Sequence, residues 1–257
     1  MIQAVFFDFD QTLFSHKTMS IPQSAKDAIA ELHKKGILCV LATGRHKLEL
    51  DRFPEVYTIG LDGYVTIDGQ ICLDKDRNIL CANAFEGKRL ENLLKVFHDK
   101  EIPTMLVEKD CMYLNISNEK QIQGLGVGLA GKHPIMEYTG NPVYLGISYI
   151  RPEQEAWFST VLPDCNFLRW SDAGVDITPA GRDKISGIHE YLDYYGIPRD
   201  SYMAFGDGDN DTSMIASAPI GVAMGNALPC VKEVADYITS NIDDDGIWNA
   251  LKHFGLI

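Results

Sequence analysis

The sequence predicts an α/β fold: a parallel sheet with helices packed on it, interrupted by a second α/β unit. Two observations predict it. At both ends of the 257-residue chain, short apolar runs alternate with segments of helical spacing. The order strand, helix, strand implies parallel pairing through crossover connections. Between about residues 83 and 176 the rhythm changes to hairpin-like pieces mixed with helices, as expected of an insertion. The expected division is an outer domain of residues 1–82 and 177–257 around an inserted unit of residues 83–176.

The elements follow in order. "AVFFDFD", residues 4–10, is short and rich in aromatic and β-branched residues, the pattern of a buried strand. "SAKDAIAELHKKG" places Ala25, Ile29 and Leu32 at helical spacing, opens after Pro22 and stops at Gly36. "ILCVLATG" is a second buried strand and "GYVTI" a third. In the insert, "TMLVEKDCMYLNI" reads as a hairpin. After it the chain resumes the alternation of its first 80 residues. "DKISGIHEYLDYYG" is helical, "YMAFGD" a strand, "DTSMIASA" a helix and "IGVAM" a strand. "CVKEVA" is helical, and "DGIWNALKHF" closes the chain as an amphipathic helix.

Composition narrows the function. With 46% hydrophobic and 23% charged residues the chain reads as a soluble globular protein. Its net charge of -13 argues against a nucleic-acid backbone or an anionic membrane as main partner. A small anionic substrate stays compatible, because local charge outweighs the mean field at a site. The six cysteines, Cys39, Cys72, Cys81, Cys111, Cys165 and Cys230, contain no C-x-x-C spacing. They read as free thiols in a reducing cytosol rather than as a disulfide framework or zinc site. No secretory signal or membrane-length apolar run is evident, so a cytoplasmic protein without an obligate protein partner is expected. The sequons at Asn115 and Asn210 read as accidental.

Three apolar runs of the outer segments end in polar clusters. The first ends in Asp8 and Asp10, the second in Thr43 and Gly44, the third in Asp207, Asp209, Asn210 and Asp211. On a strand, Asp8 and Asp10 point to the same side. A D-x-D pair is weak by itself: 36 acidic residues in 257 yield about five acidic-x-acidic pairs by chance. Three coincident strand ends are the stronger signal, because ligands of open parallel sheets sit beyond the carboxyl ends of the strands.

That many carboxylates at one place require a cation. Hard oxygen donors without a nearby His or Cys pair favour Mg²⁺. A calcium EF-hand fails, because Thr212 stands at the sixth position and Ala218 at the twelfth. Mg²⁺ normally completes its shell with water and a phosphate oxygen. Thr43 and the backbone around Gly44, opening a helix, suit such an anion. Lys184, opening "KISGIHEYL" after the strand "VDIT", is the cation expected to balance the remaining charge.

Together, "DFDQT", "LATGR", the lysine of "GRDK" and "FGDGDND" resemble the four ordered motifs of the haloacid-dehalogenase-like superfamily. The insert and the ending "ADYITSNIDDDGI" resemble its Cof-like sugar-phosphatase branch. The resemblance implies a Rossmann-like core with helices on both faces, and an inserted α/β cap that selects the substrate. It implies Asp8 as the nucleophile that forms an aspartyl-phosphate, and Asp10 as general acid and then base. It implies Mg²⁺ held by the Asp8 carboxylate, the backbone carbonyl at Asp10, and Asp207, with Asp211 as outer support or further ligand. Thr43 and Lys184 would hold phosphoryl oxygens with Gly44, Asn210 would support them, and Arg45 matches the second motif. Enzymatic acceleration of phosphate-monoester hydrolysis approaches 10²¹-fold, about 29 kcal/mol, so sharing that barrier among a covalent step, a metal and a lysine is chemically reasonable.

Three positions depart from the family pattern: Gln11 where Gly is usual, Asp68 in "TIDGQ" where Asn is common, and Ile185 after the lysine. "GVGLAGK", residues 126–132, mimics a phosphate loop but lacks the Ser/Thr, carrying His133 instead, and follows no buried strand. The expected activity is hydrolysis of a small phosphorylated metabolite. Phosphoryl transfer by a mutase on the same core is the alternative, distinguished by whether inorganic phosphate is released. A non-catalytic binding module is a further alternative, which turnover of an aryl phosphate would eliminate.

Overall fold

The computed structural model describes residues 1–116, 133–172 and 174–257; the "GVGLAGK" segment lies outside them. Two compact units result, Met1–Ala82 with Asp183–Ile257, and Asn83–Arg182. In chain order the first unit supplies β1 (Ala4–Phe7), β2 (Leu38–Ala42), β3 (Gly63–Thr66), β4 (Ile71–Asp74) and β5 (Ile79–Ala82). The second supplies β6 (Thr104–Glu108), β7 (Met112–Leu114), β8 (Val143–Ser148), β9 (Cys165–Ser171) and β10 (Gly174–Pro179). The chain then returns with β11 (Tyr202–Gly206), β12 (Ile220–Ala223) and β13 (Tyr237–Ile238).

The first unit's sheet runs β13-β12-β11-β1-β2-β3-β4-β5. All pairs from β13 to β3 are parallel, and the hairpin strands β4 and β5 add an antiparallel edge. The central strand β1 is buried on both faces. Phe6 meets Tyr191 and Tyr202 edge-on at 6.0 and 5.7 Å, while its neighbour Phe7 stacks on Phe205 at 5.4 Å, as alternation requires.

The helices form where the apolar spacing predicts. Gln23–Lys34 follows Pro22 and buries Ala25, Ala28, Ile29 and Leu32; the turn ending it places Gly36 at φ 71°. Lys184–Tyr195 opens on a capping box in which Asp183 Oδ1 accepts from Ser186 N (3.1 Å) and Ser186 Oγ accepts from Asp183 N (2.9 Å). It ends at Gly196, φ 66°.

The second unit holds a five-stranded antiparallel sheet, β7-β6-β8-β10-β9, over a core that includes Phe85, Leu93, Phe97, Tyr113 and Phe158. The expected hairpin is β6–β7. The side chain of Asn115 is buried on Phe97 O, Ile102 O and Thr104 N (2.9, 3.0 and 2.8 Å), which explains that sequon structurally. The strand "VDIT" pairs on both sides within this sheet, as part of β10, so the chain re-enters the first unit at Asp183 rather than at the expected residue 177. An apolar run announces a strand but carries no information about which sheet it joins. Among the described residues, no helix is long and apolar enough to cross a membrane.

The helix Lys184–Tyr195 lies unusually close to β3 and the turn that follows it. A Cβ added at Gly187 would sit 2.5 Å from Gly69 Cα and 2.7 Å from Val65 Cγ1. Gly187→Ala is therefore expected to cost about 1–3 kcal/mol in denaturant unfolding. It should also lower activity, because the same helix carries Lys184; unchanged stability would show that the packing is looser than these distances imply.

Candidate active site

The register of three parallel strands assembles the site. Phe7 pairs with Leu41 of β2 and Phe205 of β11, so Asp8, Thr43 and Asp207 leave the sheet at one edge. The Asp8 amide still donates to Phe205 O at 2.9 Å, but β1 ends at Phe7. Asp8 and Asp10 are therefore not alternate positions of one strand, as the sequence suggested. The turn after Phe7 lets them take different cationic partners.

Lys184 is fully buried, and its Nζ donates to Asp8 Oδ1 and Asp211 Oδ1, both at 2.6 Å. The other oxygen of Asp211 accepts from the amides of Asp207 and Gly208, each at 2.9 Å. Asp211 is thereby satisfied on both oxygens and buries no lone charge. Thr12 Oγ1 donates to Asp207 Oδ1 at 2.7 Å. Carboxylate oxygens of Asp8, Asp207 and Asp211 lie within 4.8 Å of one another.

One ammonium does not balance this cluster. Burial, reinforced by the charge of Asp211, holds Asp8 well above the usual carboxylate range despite Lys184. Burial also pushes Asp207 up to about 7, with Asp211 adding to it and the Thr12 hydrogen bond opposing. Burial alone would lower Lys184, yet Asp211, Asp8 and Asp68 outweigh it and hold the lysine charged. Surplus negative charge on hard oxygen donors fits a divalent cation such as Mg²⁺. The Asp10 side chain does not belong to this set: its carboxylate is committed elsewhere.

Arg45 meets Asp10 as a fork, Nε donating to Oδ2 at 2.7 Å and Nη2 to Oδ1 at 2.8 Å. The guanidinium also lies 4.9 Å from the centroid of the Phe53 ring. Burial pushes Asp10 up, but Arg45 and His16 together leave it below its ordinary value. Arg45, expected among substrate-binding residues, is here the partner of Asp10.

Thr43 is buried, and its Oγ1 accepts the Arg45 amide at 3.1 Å, leaving the hydroxyl hydrogen to donate. That amide is thus not pointed at an anion, and the helix after it is a single turn, Lys47–Leu50. Gly44 lets Asp68 come close: a Cβ there would sit 3.0 Å from Asp68 Oδ2 and would press on that carboxylate. Asn210 Nδ2 donates to Asp68 Oδ1 at 3.1 Å, so in this structure it holds Asp68. Asp68 is buried, and burial raises it against the pull of Lys184 and Asn210.

Sequence reasoning does not single out Thr12, His16 or Asn226. Thr12 lies within the motif "DFDQT", where its signal is available. Asn226 bonds the carbonyl of Gln11 from 215 residues away, a contact without local signature.

The fold and site together define an α/β protein that gathers the buried carboxylates of Asp8 and Asp211 around Lys184. The chain belongs to the haloacid dehalogenase-like hydrolases, which it matches over residues 5–251. It is a phosphoric monoester hydrolase of the Cof-like branch. BT1666 from Bacteroides thetaiotaomicron, described among phosphatases of this superfamily, superposes with a TM-score of 0.91 at 30% identity, covering 100% of this chain and 96% of that one. The subclass IIB sugar phosphatase BT4131 superposes with a TM-score of 0.85 at 33% identity, covering 99% and 100%. YkrA of Bacillus subtilis is 29% identical over 257 residues, 98% of each chain.

Two outcomes are expected. Lys184→Met leaves Asp8 and Asp211 without their counter-ion and should cost about 3–5 kcal/mol at pH 8. The loss should shrink at pH 5, because Asp8, held well above the usual carboxylate range, takes up a proton as pH falls; equal losses at both pH values would contradict the ion-pair account. The metal effect has a definite sign. Because Asp8, Asp68 and Asp207 are raised in the fold, they contribute stability below the unfolded carboxylate range that is lost as pH rises, through about 7 for Asp207. The slope is up to about 1.4 kcal/mol per pH unit for each group. Metal-free protein should melt lower at pH 8 than at pH 5.5, and Mg²⁺ should raise Tm more at pH 8. A shift independent of pH would place the ion elsewhere.

Proposed function

We propose that the chain is a Mg²⁺-dependent phosphatase that hydrolyses small phosphorylated metabolites, sugar phosphates foremost, through an aspartyl-phosphate on Asp8. The observation that carries this reading is the buried Lys184 bridging Asp8 and Asp211 beside Asp207. Likeness to the sugar phosphatase BT4131 supports the substrate class. In this reading residues 1–82 and 183–257 form the catalytic core, and the second unit is the substrate-selecting cap, as the family organisation implies.

Asp8 attacks phosphorus. Lys184, already on Asp8 Oδ1, offers its remaining donor capacity to a phosphoryl oxygen, and the Thr43 hydroxyl hydrogen donates to another. Asp8, the Asp10 backbone carbonyl and Asp207 would hold Mg²⁺, which when bound neutralises charge on the phosphoryl oxygens. Asp211 fixes the lysine and the amides of Asp207 and Gly208. Asp10 carries the proton: a phosphate dianion arriving nearby raises its proton affinity, so it serves as acid to the leaving alcohol. Once the alcohol departs, the ionised form that Arg45 favours takes a proton from water, whose oxygen attacks phosphorus, breaks its bond to Asp8 and releases inorganic phosphate. A cytoplasmic setting, where six free cysteines stay reduced, suits this role.

A phosphate-release screen over a metabolite panel tests the proposal. Turnover should require Mg²⁺ and fall by at least about 10³-fold in Asp8→Asn. Activity surviving that substitution, or persisting in excess chelator, would overturn it. An isomeric sugar phosphate formed without inorganic phosphate would indicate a mutase instead.

A further inference from the structure

Residues 11–16 form a short loop whose backbone is tied at several points. Gln11 adopts φ 60°, the left-handed region that a side chain disfavours and glycine accepts. Its amide donates to Phe14 O at 2.8 Å, and its carbonyl accepts from Asn226 Nδ2 at 2.8 Å. Its side-chain Oε1 accepts from the backbone amide of His16 at 2.9 Å. Ser15 Oγ donates to Asp243 Oδ1 at 2.8 Å, and the His16 ring lies edge-on to Phe14, centroids 6.0 Å apart. The loop so held delivers His16 Nε2 to Asp10 Oδ1 at 2.6 Å. Ionised Asp10 only accepts, so Nε2 carries the hydrogen.

A half-exposed histidine beside a carboxylate is common on protein surfaces and usually contributes little. This one differs in two respects. Its carboxylate partner is the group assigned to proton transfer. Its own backbone is held by a side chain at a position where glycine would be less strained but would have nothing to hold with. Arg45 grips both oxygens of Asp10, and His16 adds a third donor on Oδ1. Three donors leave the carboxylate one orientation, and proton transfer is sensitive to orientation.

We propose that His16 is a positioning residue for proton transfer by Asp10, and that the Gln11 side chain holds His16 in place. The inference rests on the reading of Asp10 as acid and base given above. It also gives Gln11, a departure from the family pattern, a role in the reaction.

Leaving-group dependence separates this role from a structural one. An alkoxide needs a proton as it departs, whereas p-nitrophenolate leaves without one. The kcat/KM of each variant is measured with p-nitrophenyl phosphate and with the best alkyl phosphate of the panel. Asp10→Asn calibrates the assay and should lose far more on the alkyl ester. His16→Ala should lose about tenfold on the alkyl ester and less than about twofold on the aryl ester, with unchanged Tm. His16→Gln, which keeps a side-chain N–H, should recover most of the loss. Gln11→Gly, which suits the backbone but frees His16, should show the same selectivity at about threefold. Equal losses on both esters, or none, while Asp10→Asn is selective, would overturn the inference and leave the proposed function standing. If Asp10→Asn itself lacks selectivity, the assignment of Asp10 fails and the inference falls with it.

Discussion

The ammonium of Lys184, buried between Asp8 and Asp211, is the constraint on which the rest of the site depends. Desolvating it is costly, and only carboxylates held at hydrogen-bonding distance make the burial tolerable. The fold supplies that precision through backbone contact rather than through long side chains. Gly187 and Gly69 let the helix that begins at Lys184 touch the β3–β4 turn, and Asp183 fixes its first turn with a capping box. Asp211 is held by two backbone amides at the opposite side of the lysine. A displacement of any of these would separate Lys184 from the two carboxylates it bonds.

The same arrangement leaves the site short of positive charge. Asp8, Asp207 and Asp68 are all raised by burial, so the protein by itself does not stabilise their ionised forms. Such a deficit of positive charge among hard oxygen donors fits the divalent cation of the proposed function. Asp10 is the exception among these aspartates. Arg45 and His16 lower it against the effect of burial, and its carboxylate accepts from both. Two carboxylates one residue apart thus differ in proton affinity because burial and Asp211 raise Asp8, whereas Arg45 and His16 outweigh burial at Asp10.

Much of this is legible in the sequence. The strands β1, β2, β3, β11 and β12 and the helices between them follow from apolar period and length, because burial imposes that pattern locally. Asp8, Thr43, Lys184, Asp207 and Asp211 stand out because each follows a buried strand or opens a helix. The expected boundary at residues 176 and 177 cuts the strand "VDIT", since pairing partners leave no mark on a short apolar run. The contacts of Asn210 with Asp68 and of Arg45 with Asp10 are not foreseeable either. Both residues lie in motifs that suggest an anion, but side-chain direction depends on neighbours distant in the chain.

The sequence by itself determined the elements, the family and the residues gathered at the sheet edge, because periodicity and strand-end position are properties of contiguous residues. Only the tertiary structure decided which charge meets which. Lys184 and Asp8 are separated by 176 residues, and Gln11 and Asn226 by 215. Their pairing follows from strand order and helix docking, which bring together groups that no local pattern connects.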